Sequence, residues 1–314
     1  MRLNGPRTEV AFGVHGYPDA FCLLAQPPAC LYVIGEVEAL REGLAVIGAR
    51  NATPYGRAAA KLFATAAARQ GIVIISGGAR GCDAAAHRAA MDAGGTTVAF
   101  LGGGCDAPYP KENLPLFQEI IDSGGAVVSE QPWSMPPRPY MFRLRNRLIA
   151  GLARATLIVE AGLPSGTFST ADEALAANRE VLVVPGSILS QTSQGANRLL
   201  LEGAIPVVDE ESFLGQLSAL FPLLPQVGEQ LGPMDFEGAA LPGSTRSAGL
   251  QDDERTLLSM LAANPMRLEE IAVQTCFEPK GDGTRLGKMR GMVAKLEGSG
   301  LIERYPDGRF GSAG

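Results

Sequence analysis

The stretch LAVIGARNATPYGRAAAKLFATAAARQGIVIISGGARGCD, residues 44–83, decides the fold. Residues 44–47 form a short apolar run that ends in a glycine loop, Gly48-Ala49-Arg50-Asn51. An alanine-rich segment of helical length follows at 55–69. Thr53 is placed to cap it, Pro54 suits its first position, and Gly71 stands where a C-terminal cap is expected. A second apolar run, 72–75, ends in a second glycine loop, Ser76-Gly77-Gly78-Ala79-Arg80-Gly81. Runs of this length and Val/Ile content suit strands buried on both faces. Strand, glycine loop, helix and strand again make the repeating unit of a parallel sheet.

The pattern continues outward. Further apolar runs stand at 98–101, 126–128, 156–159, 181–184 and 205–208, with helical segments at 84–93, 112–122, 144–153, 169–178 and 196–202. Residues 44–221 are therefore expected to form an α/β, Rossmann-like parallel sheet with helices on both faces. Residues 1–43 read as a short irregular N-terminal extension with at most a short strand at 31–34. Residues 222–250, rich in Pro, Gly, Ser and Gln, read as a linker. Residues 251–314 read as a small winged helix domain, with helices at 254–262, 268–274 and 285–297 and a hairpin at 301–310 turning at Asp307-Gly308.

Composition narrows the function. The 314 residues carry a formal charge of −6, which does not favour a nucleic-acid binder but leaves room for a local cluster of arginines. No apolar run approaches the roughly 20 residues that span a bilayer. The N-terminus shows no basic region followed by an apolar stretch, so no secretory signal is visible. Five scattered cysteines, without a C-x-x-C pair, and two histidines argue against a disulfide framework and a zinc site. A reducing cytoplasm is the expected compartment, and neither metal nor cofactor is expected.

A third glycine loop, Gly102-Gly103-Gly104-Cys105-Asp106, follows the third run. In an open parallel sheet ligands bind outside the carboxyl ends of the strands. Glycines there allow close backbone approach, and helix N-termini present N–H groups to anions. A glycine can also serve only a tight turn. Three such loops at one edge, two of them with an arginine, favour phosphate binding by Gly48, Arg50, Ser76, Gly77, Gly78, Arg80 and Gly81. The loops match neither G-x-x-x-x-G-K-[ST] nor a clean G-x-G-x-x-G, which disfavours ATP hydrolysis and NAD binding. Between Pro137 and Arg147 lie four arginines with Tyr140 and Phe142. Arginines track phosphates and rings stack on bases, the physics of single-strand binding. Phe142, Arg143, Arg145, Asn146 and Arg147 are therefore candidates, against a plainer reading of a solvated helix start with Phe142 in the core. Asp83 is expected to cap its helix, with His87 one turn on and able to pair with it. No nucleophile–base pair stands out, and no catalytic residue is assigned.

Together these residues resemble the DNA-processing protein A (DprA/Smf) family. Gly48-Ala49-Arg50 answers to its G-S-R, and Ser76-Gly77-Gly78-Ala79-Arg80-Gly81-Cys82-Asp83 to S-G-x-A-R-G-I-D. Leu101 to Pro110 matches L-G-x-G-x-D-x-x-Y-P, and Phe142 to Leu152 matches F-P-x-R-N-R-I-I-x-G-L. Ser165-Gly166-Thr167, Val184-Pro185-Gly186-Ser187 and Gly195 to Leu199 complete the pattern. The likeness covers about residues 31–213. Ala49, Cys82, Met141 and Arg143 depart from it, and the helical N-terminal domain of many relatives is shortened or missing. The resemblance implies a protein of natural transformation that is not an enzyme. Such a protein binds and protects incoming single-stranded DNA, helps load the RecA recombinase onto it, and forms a homodimer. It also brings Ser165, Gly166 and Thr167 into the DNA site. In the C-terminal domain Arg285, Lys288 and Arg290 are candidates for contact, although nine Lys/Arg against ten Asp/Glu make that domain no obvious DNA reader.

Two other classes share such a core. One is the phosphoribohydrolases that cleave nucleoside monophosphates, whose P-G-G-x-G-T-x-x-E motif is faintly similar to Ser165 to Glu173. The glycines are missing and the acid is out of register, yet such an enzyme needs a carboxylate at the glycosidic bond. The other is a small-molecule carrier.

Overall fold

The structure, a computed structural model, describes residues 2–163, 166–221, 251–263, 265–268, 270–271, 285–305 and 308–312. The chain divides into two compact units near residue 226.

The first unit is built on a nine-stranded sheet. In chain order the strands are β1 (Arg7–Ala11), β2 (Cys30–Gly35), β3 (Gly43–Ile47), β4 (Val73–Ser76), β5 (Thr97–Phe100), β6 (Ala126–Ser129), β7 (Ala153–Ile158), β8 (Glu180–Val183) and β9 (Ile205–Pro206). Their spatial order is β1-β2-β6-β5-β4-β3-β7-β8-β9. From β6 to β9 every pairing is parallel, as the unbroken apolar runs predict. After β3 the chain winds outward through β4 to β6, then returns to β3's other side with β7. The switch point therefore lies between β3 and β7.

Among the described residues seven α-helices flank the sheet: α1 (Pro54–Arg69), α2 (Cys82–Asp92), α3 (Leu114–Asp122), α4 (Pro139–Leu152), α5 (Thr167–Ala176), α6 (Gln194–Leu201) and α7 (Glu210–Leu220). Alternate residues along β3, such as Ala45 and Ile47, join one core with Leu148 of α4, Ala171 of α5 and Leu199 of α6. The opposite face packs Ala99 and Val127 against Leu116, Phe117 and Ile120 of α3. Helix α7 was not read from the sequence, although Asp209 and Ser212 form a reciprocal capping box at its start.

The expectation of an irregular extension over 1–43 is corrected. β1 and β2 join the sheet antiparallel, β1 on β2 and β2 on β6. The edge strand β1, Arg-Thr-Glu-Val-Ala, buries only Val10, so it shows no apolar run to read.

His87 of α2 is fully buried. Its Nδ1 donates to Thr97 Oγ1 at 2.7 Å, because that hydroxyl already donates to the Ile74 carbonyl. It does not pair with Asp83, as the sequence allowed. Burial, helped by the charge of Arg145, pushes its pKa down to about 3.

The second unit holds helices Asp252–Ala263 and Arg285–Gly298 and a hairpin of Ile302–Arg304 with Phe310–Ser312. Leu257, Leu261, Met292, Leu296, Ile302 and Phe310 share its core. Lys295 Nζ donates to the buried Glu254 at 2.6 Å and ties the helices together. The linker, most of the expected helix at 268–274, and Asp307 of the expected turn lie outside the described residues. So do the side chains of Arg285 and Lys288; Arg290 is exposed.

The neutral burial of His87 sets a pH dependence. Unfolded, it takes up a proton near pH 6.5, while the folded protein refuses it until about pH 3. This contribution to stability is complete above pH 6.5 and is lost as pH falls. Between pH 6.5 and 5 the loss is about 2 kcal/mol. Thermal melts should show Tm dropping over that range in the wild type and dropping less in His87→Gln. Equal slopes would assign the acid sensitivity elsewhere.

Candidate nucleic-acid interface

Beyond the carboxyl ends of β3 and β7, which stay paired as far as Ile47 and Ile158, a cleft of about 880 Å³ opens at the switch point. Its lining comes from the loop after β3 (Gly48 to Asn51), the loop after β4 (Ala79), the start of α2 (Asp83), the loop before α3 (Tyr109), the first turns of α4, and the start of α5.

The floor is an ionic anchor. Arg145 of α4 is buried, and its Nη1 donates to the carbonyls of Gly77, at 2.8 Å, and Phe100. Beside it lies the buried carboxylate of Asp83, which accepts from the amides of Gly77 at 3.2 Å and Ala79 at 3.3 Å. Asp83 thus does not cap its own helix, as the sequence suggested. The cap position is Gly81, at φ +79°, a conformation open to glycine. Asp83 instead ties down the loop before it. Burial raises the pKa of Asp83, opposed by Arg145 and the two amides. Burial lowers that of Arg145, which Asp83 opposes.

The wall is aromatic. Phe142 meets Tyr109 edge to face with centroids 5.6 Å apart, and the guanidinium of Arg50 stands 5.8 Å from the Phe142 ring centre. Gly102 backs the ring so closely that a Cβ there would come within 2.8 Å of it. Phe142 itself is half-buried, neither core nor free side chain. Arg143 and Arg50 are exposed at the mouth. The lining thus carries Arg50, Arg143 and Arg145 against one acid, Asp83, in a chain of net charge −6.

Of the residues expected from the sequence, Gly48, Arg50, Phe142, Arg143, Arg145, Asn146, Gly166 and Thr167 line the cleft. Others are not among its lining. Ser76 is buried and donates from its hydroxyl to the Val46 carbonyl. Gly77 and Gly78 offer carbonyls to Arg145 and to the Asn113 side chain. Gly81 caps α2. Arg80 is exposed, 3.9 Å from Glu112. Arg147 is corrected most sharply. It is largely buried and donates to Glu130 at 2.5 Å. The helix begins at Pro139, not at 144, so the arginines spread around it. Arg145 lies 200° round from Arg143, facing the sheet, and Arg147 lies a turn further from the mouth. Ser165 lies outside the described residues. Tyr109 was missed, although an aromatic residue in a loop beyond a strand's carboxyl end was a readable signal. Among the described residues no group of His, Cys, Asp and Glu could hold a metal ion, and no helix is long and apolar enough to cross a membrane.

A doubly wound α/β domain with a cationic, aromatic-walled cleft at its switch point is a ligand-binding domain of the Rossmann-like class. Residues 9–218 match the model of the DNA recombination-mediator protein A family, and the chain belongs to that family. It is 38% identical to protein Smf of Escherichia coli over 239 residues, 76% of this chain and 64% of that protein. It is 37% identical to a putative DNA processing protein DprA of Mycobacterium tuberculosis over 290 residues, 90% of this chain and 68% of that protein. The chain thus spans about two thirds of the length of these curated relatives. Among solved structures it resembles DNA processing protein A of Streptococcus pneumoniae, with a TM-score of 0.63 at 34% identity, covering 67% of this chain and 74% of that one. It equally resembles DNA processing protein A of Helicobacter pylori, a structure described for its single-stranded DNA binding mode. That match has a TM-score of 0.63 at 31% identity and covers 70% of this chain and 99% of that one.

The geometry separates two kinds of arginine. Arg145→Met strands the buried Asp83 carboxylate and should cost about 3–5 kcal/mol in denaturant unfolding. Arg147→Met unpairs the less buried Glu130 and should cost about 2 kcal/mol. A loss below about 1 kcal/mol for Arg145→Met would show that Asp83 is held by its amides alone.

Proposed function

We propose that the chain binds single-stranded DNA in the β3–β7 cleft and acts on it by binding, not by turnover. The observation that carries this reading is the Phe142 ring, held between Tyr109 and the Arg50 guanidinium at the mouth of a cationic cleft. A ring so placed offers a stacking surface to a base, and Arg50 and Arg143 beside it take the flanking phosphates. The binding mode named for the H. pylori relative supports the same ligand. The phosphoribohydrolase reading has less support, because the carboxylate lining the cleft, Asp83, is committed to two loop amides and faces Arg145. Ribose release from AMP would revive it.

Membership of a recombination-mediator family supports a role in loading the RecA recombinase during natural transformation. A coated strand should then nucleate recombinase assembly faster than a bare one, and no acceleration would sink this part. Ile188, Leu189, Leu201 and Val208, all exposed toward the β8–β9 end, support a homodimer. Leu201→Asp should make the sedimenting species monomeric; an unchanged mass would move the interface elsewhere. The C-terminal unit is proposed to be a winged helix. The two helices and the hairpin among its described residues, packed around one core, support this. A reducing cytoplasm is proposed as the compartment, on the odd and scattered cysteines of the sequence.

In an anisotropy titration at matched salt, a labelled single strand should bind more tightly than the duplex or a mononucleotide. Arg50→Ala and Arg143→Ala should each lower the slope of log affinity against log salt by about one unit, whereas Arg147→Met should leave it unchanged. Equal affinity for duplex, or an unaltered slope in both alanine variants, would overturn the reading.

A further inference from the structure

The loop that carries Tyr109 is fastened from outside the cleft. Three residues before Tyr109, the Asp106 carboxylate is largely buried and takes a bidentate pair of hydrogen bonds from Arg2, Nε to Oδ1 at 2.9 Å and Nη2 to Oδ2 at 3.0 Å. Arg7 of β1 donates to the same carboxylate. The Arg7 guanidinium also lies 4.6 Å from the ring centre of Trp133, whose Nε1 donates to Glu9 of β1 at 2.7 Å. The arginines lower the pKa of Asp106, the hydrogen bond from Arg2 being the largest cause.

These contacts join two loops as well as a strand. The Asp106 amide donates to the Trp133 carbonyl at 2.7 Å, and the Gly104 amide to the Met135 carbonyl at 2.9 Å. The first loop runs on to Tyr109. The second runs through Pro137 into Pro139, the first residue of α4, one turn before Phe142. The two rings of the cleft wall therefore stand on two loops laced together beneath them and clamped to one edge strand.

We infer that the clamp of Arg2, Arg7 and Glu9 on Asp106 and Trp133 sets the separation and tilt of Tyr109 and Phe142, and that Asp106 and Glu9 are positioning residues for strand binding. This rests on the reading of the cleft given above. None of the clamp residues lines the cleft. They act by pre-setting the wall, so that a strand does not spend binding energy on ordering it. A ligand feels such remote contacts when they bias the geometry of its site, with effects of a few-fold to about thirtyfold.

Charge separates this clamp from simple attraction. Asp106→Asn and Glu9→Ala each remove a negative charge from a protein that binds a polyanion. If electrostatics alone acted, both would tighten binding. The clamp requires the reverse. Affinity for a labelled oligothymidylate should fall about fivefold in each full-length variant, with the salt slope unchanged because no phosphate contact is lost. In a Phe142→Leu background the effect of Asp106→Asn should vanish, since the wall it positions is gone. Glu9 is exposed on the edge strand, so Glu9→Ala decides the matter alone if circular dichroism shows Asp106→Asn misfolded. Wild type that binds the oligonucleotide, with folded variants that bind it equally or more tightly, overturns the clamp and leaves the function standing. Wild type that fails to bind overturns the function itself.

Discussion

A single guanidinium under the cleft holds the binding edge of this domain together. Arg145 reaches from α4 to the carbonyls at the ends of two neighbouring segments, Gly77 after β4 and Phe100 at the end of β5. Next to it Asp83, at the start of α2, gathers the amides of Gly77 and Ala79. A backbone loop at the end of a parallel strand has donors and acceptors with no partner in the sheet, and burying them unpaired is costly. Here one cation satisfies the acceptors and one anion the donors. Each charge also makes the other's burial tolerable.

That anchor explains how a cationic cleft survives in an acidic chain. Its deepest charge is spent on the protein's own carbonyls, and Arg147 is spent on Glu130. The cleft's exposed charges are those at the mouth, Arg50, whose guanidinium stands 5.8 Å from the Phe142 ring centre, and Arg143. Two exposed arginines beside one aromatic ring are what the cleft offers a ligand at its mouth.

How far the sequence could be read follows from where each signal came from. Strands β3 to β8 were legible because a parallel sheet is covered on both faces, so the strands must be apolar throughout. β1 was illegible for the opposite reason: four of its five residues face water. The glycine loops announced the cleft, and eight of the expected residues line it. The three arginines of α4 could not be told apart, since the residue type is the same. Their roles depend on helix rotation and on partners more than ten residues away, Glu130 for Arg147 and Gly77 for Arg145. The start of α4 was open to a closer reading, because Pro139 is a residue type favoured at a first helical position. The clamp on Asp106 left no trace at all, being assembled from the chain's first residues and a loop a hundred positions later.

The antiparallel pairing of β2 has a consequence for the order in which the chain can fold as it is made. β2 lies between β1 and β6, so its inner edge has no partner until Ala126–Ser129 have been synthesised. A two-stranded β1–β2 ribbon on its own is barely stable in water. The first 35 residues must therefore wait, as a nascent chain, for more than ninety residues of α/β structure to emerge and present β6. β1 and β2 are made before the strand that completes their pairing and are among the last parts of the sheet to find their place.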